Sequence, residues 1–251
     1  DRAQLLLNLD KRVENKEKKF FFKLIQRRSK NEPIAYITGY KEFWKSKFKV
    51  DKSVLIPRPD TETLIEQVLK ELNVNSSKKI LDIGTGSGCI LLSILKELKK
   101  SRGTGLDVSK NAIRTAIINS KNLKISNRSK FIIFDIKNFN LGKYDLIVSN
   151  PPYIPSGDIR KLSLDIRNFE PLIALNGGYD GLDLIKKVIY KSKYLLKKNG
   201  LFALEIGNNQ YKKVTYLLNV HGFREISKVY DFNRNVRCII TTKWNFFKFK
   251  W

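Results

Sequence analysis

The chain has 251 residues, 42% of them hydrophobic, which is enough to bury the core of one α/β domain with a small appendage and too apolar for a disordered chain. Two cysteines, Cys89 and Cys238, and one histidine, His221, exclude a disulfide framework, a multi-His metal cluster and any catalytic scheme needing two histidines, so no metal is expected. The 49 basic against 24 acidic residues give a net charge of +25, a field that attracts anionic partners, yet the lysines are scattered among many Asn and Ile as an A/T-rich genome would write them.

No methionine occurs, position 1 included, so Asp1 is not expected to be the native start. No window approaches ~18 uninterrupted apolar residues and no cleavable signal opens the chain, so a cytoplasmic protein without a membrane span is expected. Residues 1–30 carry Leu5, Leu6, Leu9 and Val13, then Phe20, Phe21, Leu24 and Ile25, at spacings of three and four. That periodicity predicts two helices with one buried face each, a small helical domain that packs on itself or docks a substrate protein. Residues 31–58, "EPIAYITGYKEFWKSKFKV" with its flanks, bring Pro33, Gly39, β-branched residues and aromatics, and read as a hairpin linker in which Trp44 is packing.

The third unit spans 59–251. Pro57 and Pro59 end the extended segment, and Asp60, Thr61 and Glu62 fall in the first turn of a helix, where carboxylates suit the dipole. Strands are predicted at 78–84, 103–109, 130–136, 144–150, 201–207 and near 223–230 and 236–243, with helices at 87–100, 111–123, 181–196 and near 210–219. Strands alternating with helices predict an α/β, doubly wound parallel sheet. The last two strands lack an intervening helix and are expected as an antiparallel hairpin at one edge. His221 reads as a turn residue, and the tail "KWNFFKFKW" as a chain end rather than a base-stacking platform.

The first strand runs into "ILDIGTGSGCI", with Gly84, Gly86 and Gly88 before a helix. Glycine lets the backbone approach a ligand, whose polar groups then meet the helix N-terminus. A dinucleotide fingerprint would need a third glycine at position 89, which is Cys89, so that match fails. G-x-G-x-G after Asp82 resembles instead the first motif of S-adenosylmethionine-dependent methyltransferases. Asp107 ends the second strand, where a carboxylate can accept both ribose hydroxyls.

The fourth strand, "YDLIVSN", stops at Asn150-Pro151-Pro152-Tyr153, because proline has no N–H to give a ladder. That carboxyl edge is where open α/β sheets bind ligands. A planar nitrogen, in a carboxamide or an adenine amino group, is a poor nucleophile because its lone pair is delocalised. The Asn150 side-chain oxygen and the Pro151 carbonyl can hold its two N–H groups, while Tyr153 lies against the planar group and excludes water. Orientation and acceptors that strengthen in the transition state then replace a strong base.

With "EPIAYITG", "EFW", "LIPRPDTE", "FEPLIALNGGYDGLDLI" and "LEIGNNQ" around that tetrapeptide, residues 31–242 resemble the release-factor glutamine methyltransferases, the HemK/PrmC family. The resemblance implies a seven-stranded, Rossmann-like methyltransferase sheet behind a small N-terminal helical domain and hairpin linker. It implies methyl transfer from S-adenosylmethionine to the glutamine of the Gly-Gly-Gln motif of class 1 peptide chain release factors. By motif, Gly84, Thr85, Gly86, Ser87, Gly88 and Asp107 are expected to hold the cofactor with Ile136. Asn150, Pro151, Pro152 and Tyr153 are expected to hold the glutamine amide, Asn150 also lying near the cofactor. Two departures stand out: Ile136 follows Asp135 where the family often has tryptophan, which removes aromatic stacking from the adenine pocket, and the N-terminal domain is short. A monomer is expected, with nucleic acid not required although the charge permits weak contact. The rival readings are a DNA or RNA adenine-amino methyltransferase and a methyltransferase-like binding protein without turnover.

Overall fold

The computed structural model of the protein describes residues 2–73, 75–231 and 234–243. The chain runs through α1 (Arg2–Leu7), α2 (Asn15–Ser29) and α3 (Ile34–Thr38) into a hairpin of β1 (Tyr40–Phe43) and β2 (Ser46–Lys49). After α4 (Pro59–Glu71) come β3 (Lys79–Ile83), α5 (Cys89–Glu97), β4 (Arg102–Asp107), α6 (Lys110–Asn122), β5 (Ser129–Ile133) and β6 (Tyr144–Ser149). The remaining elements are α7 (Leu164–Phe169), α8 (Asp183–Leu195), β7 (Leu196–Glu205), α9 (Tyr211–Val220), β8 (Phe223–Tyr230) and β9 (Val236–Lys243).

One seven-stranded sheet has the order β5-β4-β3-β6-β7-β9-β8. The first five strands in that order are parallel, while β9 is antiparallel to both β7 and β8. The α/β doubly wound reading therefore holds, and so does the final hairpin. Its second strand is inserted between β7 and β8 rather than laid outside them. Alternate strand residues feed two cores, as a strand covered on both faces requires. Ile80, Leu146, Val148, Leu201, Ala203 and Ile240 face the layer of α4 and α5, where Leu64, Ile65, Leu91 and Ile94 are fully buried. Leu81, Ile147, Phe202, Leu204 and Ile239 face α8 and α9 through Ile185, Val188, Val214 and Leu218.

The β1–β2 hairpin is part of this body. Phe43 and Phe48 meet edge-on at 6.0 Å within the α4–α5 core, each buried ring worth about 2 kcal/mol. Trp44 donates its indole N–H to Glu97 at 3.0 Å, so its packing role stands. The fully buried Asn119 of α6 pairs with both backbone groups of Lys49 and donates to the Ser87 carbonyl at 2.9 Å. One amide thus ties the hairpin to the glycine turn.

Of the N-terminal expectation, the two helices are present but their buried faces are not. Both helices form, and α2 starts with a reciprocal Glu14–Glu17 capping box. Their apolar faces are nevertheless open: Leu5, Leu6, Leu7, Phe20, Phe21, Phe22 and Ile25 are all exposed, and α2 buries no residue. A stripe is buried only when another element covers it, and among the described residues none does. A bidentate Arg27–Glu32 pair instead fastens the end of α2 to the turn before α3.

Smaller differences have local causes. The expected strand at 130–136 ends at Ile133. Asp135 caps a single 3₁₀ turn, Ile136–Asn138, by accepting the Lys137 N–H. Strand β7 begins at Leu196, directly from α8. The two short helices α3 and α7 were not anticipated, being single turns with little periodicity to read. His221 closes α9 as a turn residue, its ring nitrogen Nδ1 2.8 Å from the Leu217 carbonyl. The tail at 244–251 lies outside the described residues.

Candidate active site

Strand order reverses between β3 and β6, and the crevice beyond the carboxyl ends of those two strands is the site. The glycine turn follows β3, Asp107 closes β4, and Asn150 lies one residue past β6. The turn hangs on β4: the N–H groups of Gly84 and Thr85 both donate to the Leu106 carbonyl at 2.9 Å. Gly84, Gly86 and Gly88 take φ of 74°, 54° and 79°, the left-handed region that a side chain disfavours. A Cβ on Gly84 or Gly86 would meet nothing within 4 Å, whereas one on Gly88 would press on Leu92, Ala116 and Phe131.

That difference separates the three glycines. Gly84, Thr85, Gly86, Ser87, Asp107, Ile136, Asn150 and Pro152 line one cleft of about 1050 Å³, part of it open to solvent. Gly88 does not line it, and packs at the start of α5 instead. Asp107 accepts the Gly86 N–H and the Ser109 N–H, each at 2.9 Å. Helix capping and ligand contact are compatible at this residue, because Ser109 itself caps α6. Burial pushes the Asp107 carboxyl up, with those N–H groups opposing it. Two features fit a polar ligand in the cleft: Ser87 Oγ is buried there without a hydrogen-bond partner, and Gly86 leaves open the space a side chain would fill. The wall is not without an aromatic ring either. Ile136 is buried in it, but Phe134, two residues earlier and partly exposed, lines the same cleft.

A second, smaller cavity of about 500 Å³ is lined by Asn150, Pro151, Pro152 and Tyr153 with Ile154, Leu162, Ile166 and Leu175. Leu55, Arg58, Asn150, Pro152 and Ala174 face both cavities. Asn150 therefore sits at the junction, with Tyr153 only on the far side.

Residues that the sequence reading gave no role hold this junction. Asn150 Nδ2 donates to Thr61 Oγ1 at 3.2 Å, and Thr61 donates to Glu205 Oε2 at 2.7 Å. The Tyr153 hydroxyl lies 3.4 Å from Glu205 Oε1, and the Arg237 guanidinium lies over the Tyr153 ring at 5.7 Å. Gln210 Nε2 donates to the Tyr153 and Gly181 carbonyls at 3.0 and 3.2 Å. Gly181 must be glycine here, since a Cβ would fall 2.3 Å from the Tyr153 oxygen. Glu170 is buried, receives the Ile56 N–H at 3.1 Å and pairs with Arg58, clamping the 164–175 segment onto the residues before α4. One signal did exist: Glu205 is a charged residue within the apolar run "LFALEIG", which only a buried partner can accommodate.

No helix among the described residues is long and apolar enough to cross a membrane, and they contain no cluster of three or more His, Cys, Asp or Glu able to hold a metal.

Residues 59–164 match the family model of a methyltransferase small domain, and residues 1–39 that of a PrmC N-terminal domain. A release factor glutamine methyltransferase of Clostridium acetobutylicum is 42% identical over 97% of this chain and 86% of its own. One from Caulobacter vibrioides is 38% identical over 87% of this chain and 76% of its own. Among solved structures, a methyltransferase from Pyrococcus furiosus has the same fold at a TM-score of 0.59 and 15% identity, over 79% of this chain and 89% of that one.

Proposed function

The chain belongs to the release factor glutamine methyltransferase family, and from that premise we propose that it methylates the side-chain amide nitrogen of the glutamine in the Gly-Gly-Gln motif of class 1 release factors, with S-adenosylmethionine as donor. The observation that carries the reading is Asn150 at the junction of the two cavities. Gly84 to Ser87 and Asp107 fit the donor's amino-acid and ribose groups, and Phe134 and Ile136 fit its adenine. When bound, it supplies an electrophilic methyl group on a sulfonium. The smaller cavity takes the acceptor amide. Asn150 Oδ1 and the Pro151 carbonyl accept its two N–H groups, so that the nitrogen faces the larger cleft. Those acceptors strengthen as the nitrogen becomes positive; as the N–C bond forms and the S–C bond breaks, the nitrogen's extra proton becomes strongly acidic and leaves through one of them to solvent when the product departs. Pro152 at the junction and Tyr153 on the acceptor's side exclude water from the amide. On this reading the protein works in the cytoplasm as a monomer, with nucleic acid not required although the charge of +25 permits weak contact.

The test offers labelled S-adenosylmethionine with purified release factor, DNA and RNA in parallel and maps the product by mass spectrometry. Label on the Gly-Gly-Gln glutamine upholds the proposal. Label on adenine moves the protein to the nucleic-acid enzymes and gives the charge of +25 a role. Cofactor binding without label on any of them makes it a binding protein.

A further inference from the structure

Glu205 closes β7 with 1% of its surface exposed and lines neither cavity. Its Oε2 receives the Thr61 hydroxyl at 2.7 Å, and Oε1 lies 3.4 Å from the Tyr153 hydroxyl. An ionised carboxylate only accepts, and a threonine hydroxyl has a single proton. While Glu205 is ionised, Thr61 must spend that proton on it. Thr61 Oγ1 then meets Asn150 as an acceptor, and the 3.2 Å contact runs from Asn150 Nδ2. This decides which end of the amide faces the junction, a choice that a side-chain amide on its own leaves open.

We infer that Glu205, through the Thr61 hydroxyl, is a positioning residue that holds the Asn150 amide with its oxygen toward the acceptor nitrogen, an inference that rests on the amide methylation proposed above. A protonated Glu205 reverses the chain. Its O–H donates to Thr61, Thr61 is free to donate to Asn150 Oδ1, and the turned amide then presents N–H to N–H.

Burial pushes the Glu205 carboxyl up to about 7; the Thr61 hydrogen bond, Arg237 and Tyr153 hold it down, and Asp60 adds to the rise. The groups facing it are Asp60 and Thr61 of α4, Cys89 opening α5, Tyr153 beyond β6, and Arg237 and Cys238 of β9. Burial also pushes both thiols and the Tyr153 phenol up, and Arg237 is held up by its neighbours, so none of these four changes charge near neutral pH. Glu205 is thus poised to reorient Asn150 as pH changes around neutrality.

The experiment measures kcat for methyl transfer to a release factor from about pH 5.5 to about 8.5, together with the dissociation constant of S-adenosylmethionine, for wild type, Thr61→Val and Thr61→Ser. Wild-type kcat is expected to fall about tenfold per pH unit below about 7, as one required deprotonation demands. Thr61→Val keeps shape and packing but cannot relay. Its kcat at high pH should drop about tenfold, the upper scale of one intramolecular hydrogen bond, with the acid limb gone; the dissociation constant separates this from any change in the donor cleft, which Thr61 also lines. Thr61→Ser should restore both rate and limb. A purely structural Thr61 would lower kcat and thermal stability without altering the pH profile. An acid limb that survives in Thr61→Val, or fails to return in Thr61→Ser, overturns the inference. If wild type transfers no methyl to the release factor, the proposed reaction has failed, and the relay is read directly. The Asn150 side-chain ¹⁵N–¹H signals, assigned by their loss in Asn150→Ala, should titrate near neutral pH in wild type and not in Thr61→Val. Signals that do not titrate, or titrate alike in both, overturn it.

Discussion

Asp82 is the next-to-last residue of β3 and fully buried, and replacing it by asparagine should change how stability depends on pH. Its Oδ2 accepts the Thr85 hydroxyl at 2.7 Å, and none of its surface is exposed. Burial raises its carboxyl from 3.8 to about 7, the Thr85 hydroxyl and the Leu91 N–H offsetting part and the charge of Asp107 adding to it. A raised folded-state value means that the native protein holds a proton the unfolded chain has released. The stabilisation is therefore complete below the unfolded value and is lost as pH rises through the folded one. A shift of roughly three units at ~1.36 kcal/mol each amounts to about 4 kcal/mol across that window. Asparagine is neutral throughout and keeps an acceptor for Thr85, and whatever its amide costs or gains in this buried site does not depend on pH. The stability of Asp82→Asn minus that of wild type should therefore climb by several kcal/mol between about pH 4 and about pH 7.5 and then level off. Glu205 titrates in the same range but is present in both proteins and cancels in the difference. Urea unfolding at a series of pH values, with donor absent, supplies the measurement. A difference that stays flat with pH would refute the reasoning, whatever its sign.

Asn150→Ala should leave S-adenosylmethionine binding largely intact while lowering methyl transfer by at least ~10²-fold, the scale of one transition-state hydrogen-bonding group; near-normal turnover would remove Asn150 from the mechanism. Asp107→Ala should weaken donor binding at least about tenfold in calorimetry, since hydrogen bonds to a charged group are lost, and unchanged affinity would reduce Asp107 to its contacts with Gly86 and Ser109. In Gly86→Ala the new Cβ meets no protein atom within 4 Å but sits on a φ of 54°, so unfolding should cost only about 1–2 kcal/mol while donor affinity falls sharply. An alanine variant that binds the donor normally would show that the ligand does not approach Gly86.

The sheet was legible because its strands are short apolar runs separated by helical periods, and the ends of β6, β8 and β9 were placed within a residue. Local chemistry likewise revealed the glycine turn and the proline stop. The supports around them were not legible as supports. Thr61, Glu170, Glu205 and Gln210 lie 57 to 144 positions from some of the groups they hold, and no local pattern encodes such a pairing. The exposed faces of α1 and α2 were misread for the opposite reason. Periodicity reports that a face is apolar, and whether something covers it is decided elsewhere in the fold.

Five residues, Leu55, Arg58, Asn150, Pro152 and Ala174, form a partition that belongs to both cavities at once. On the reaction proposed above, donor and acceptor share this wall, and a wall that adjusts to one of them couples it to the other. Any adjustment the wall makes for one is felt by the other, and linkage makes the effect equal in both directions. A donor that draws the partition into place strengthens the hold on the acceptor by the same factor that the acceptor strengthens the hold on the donor. After transfer, one occupant has lost a methyl group and the other has gained it, so the mutual support between them changes at the partition itself. The direction of turnover stays with the free energy of the reaction, and the wall sets only how tightly the pair on either side of it is held together.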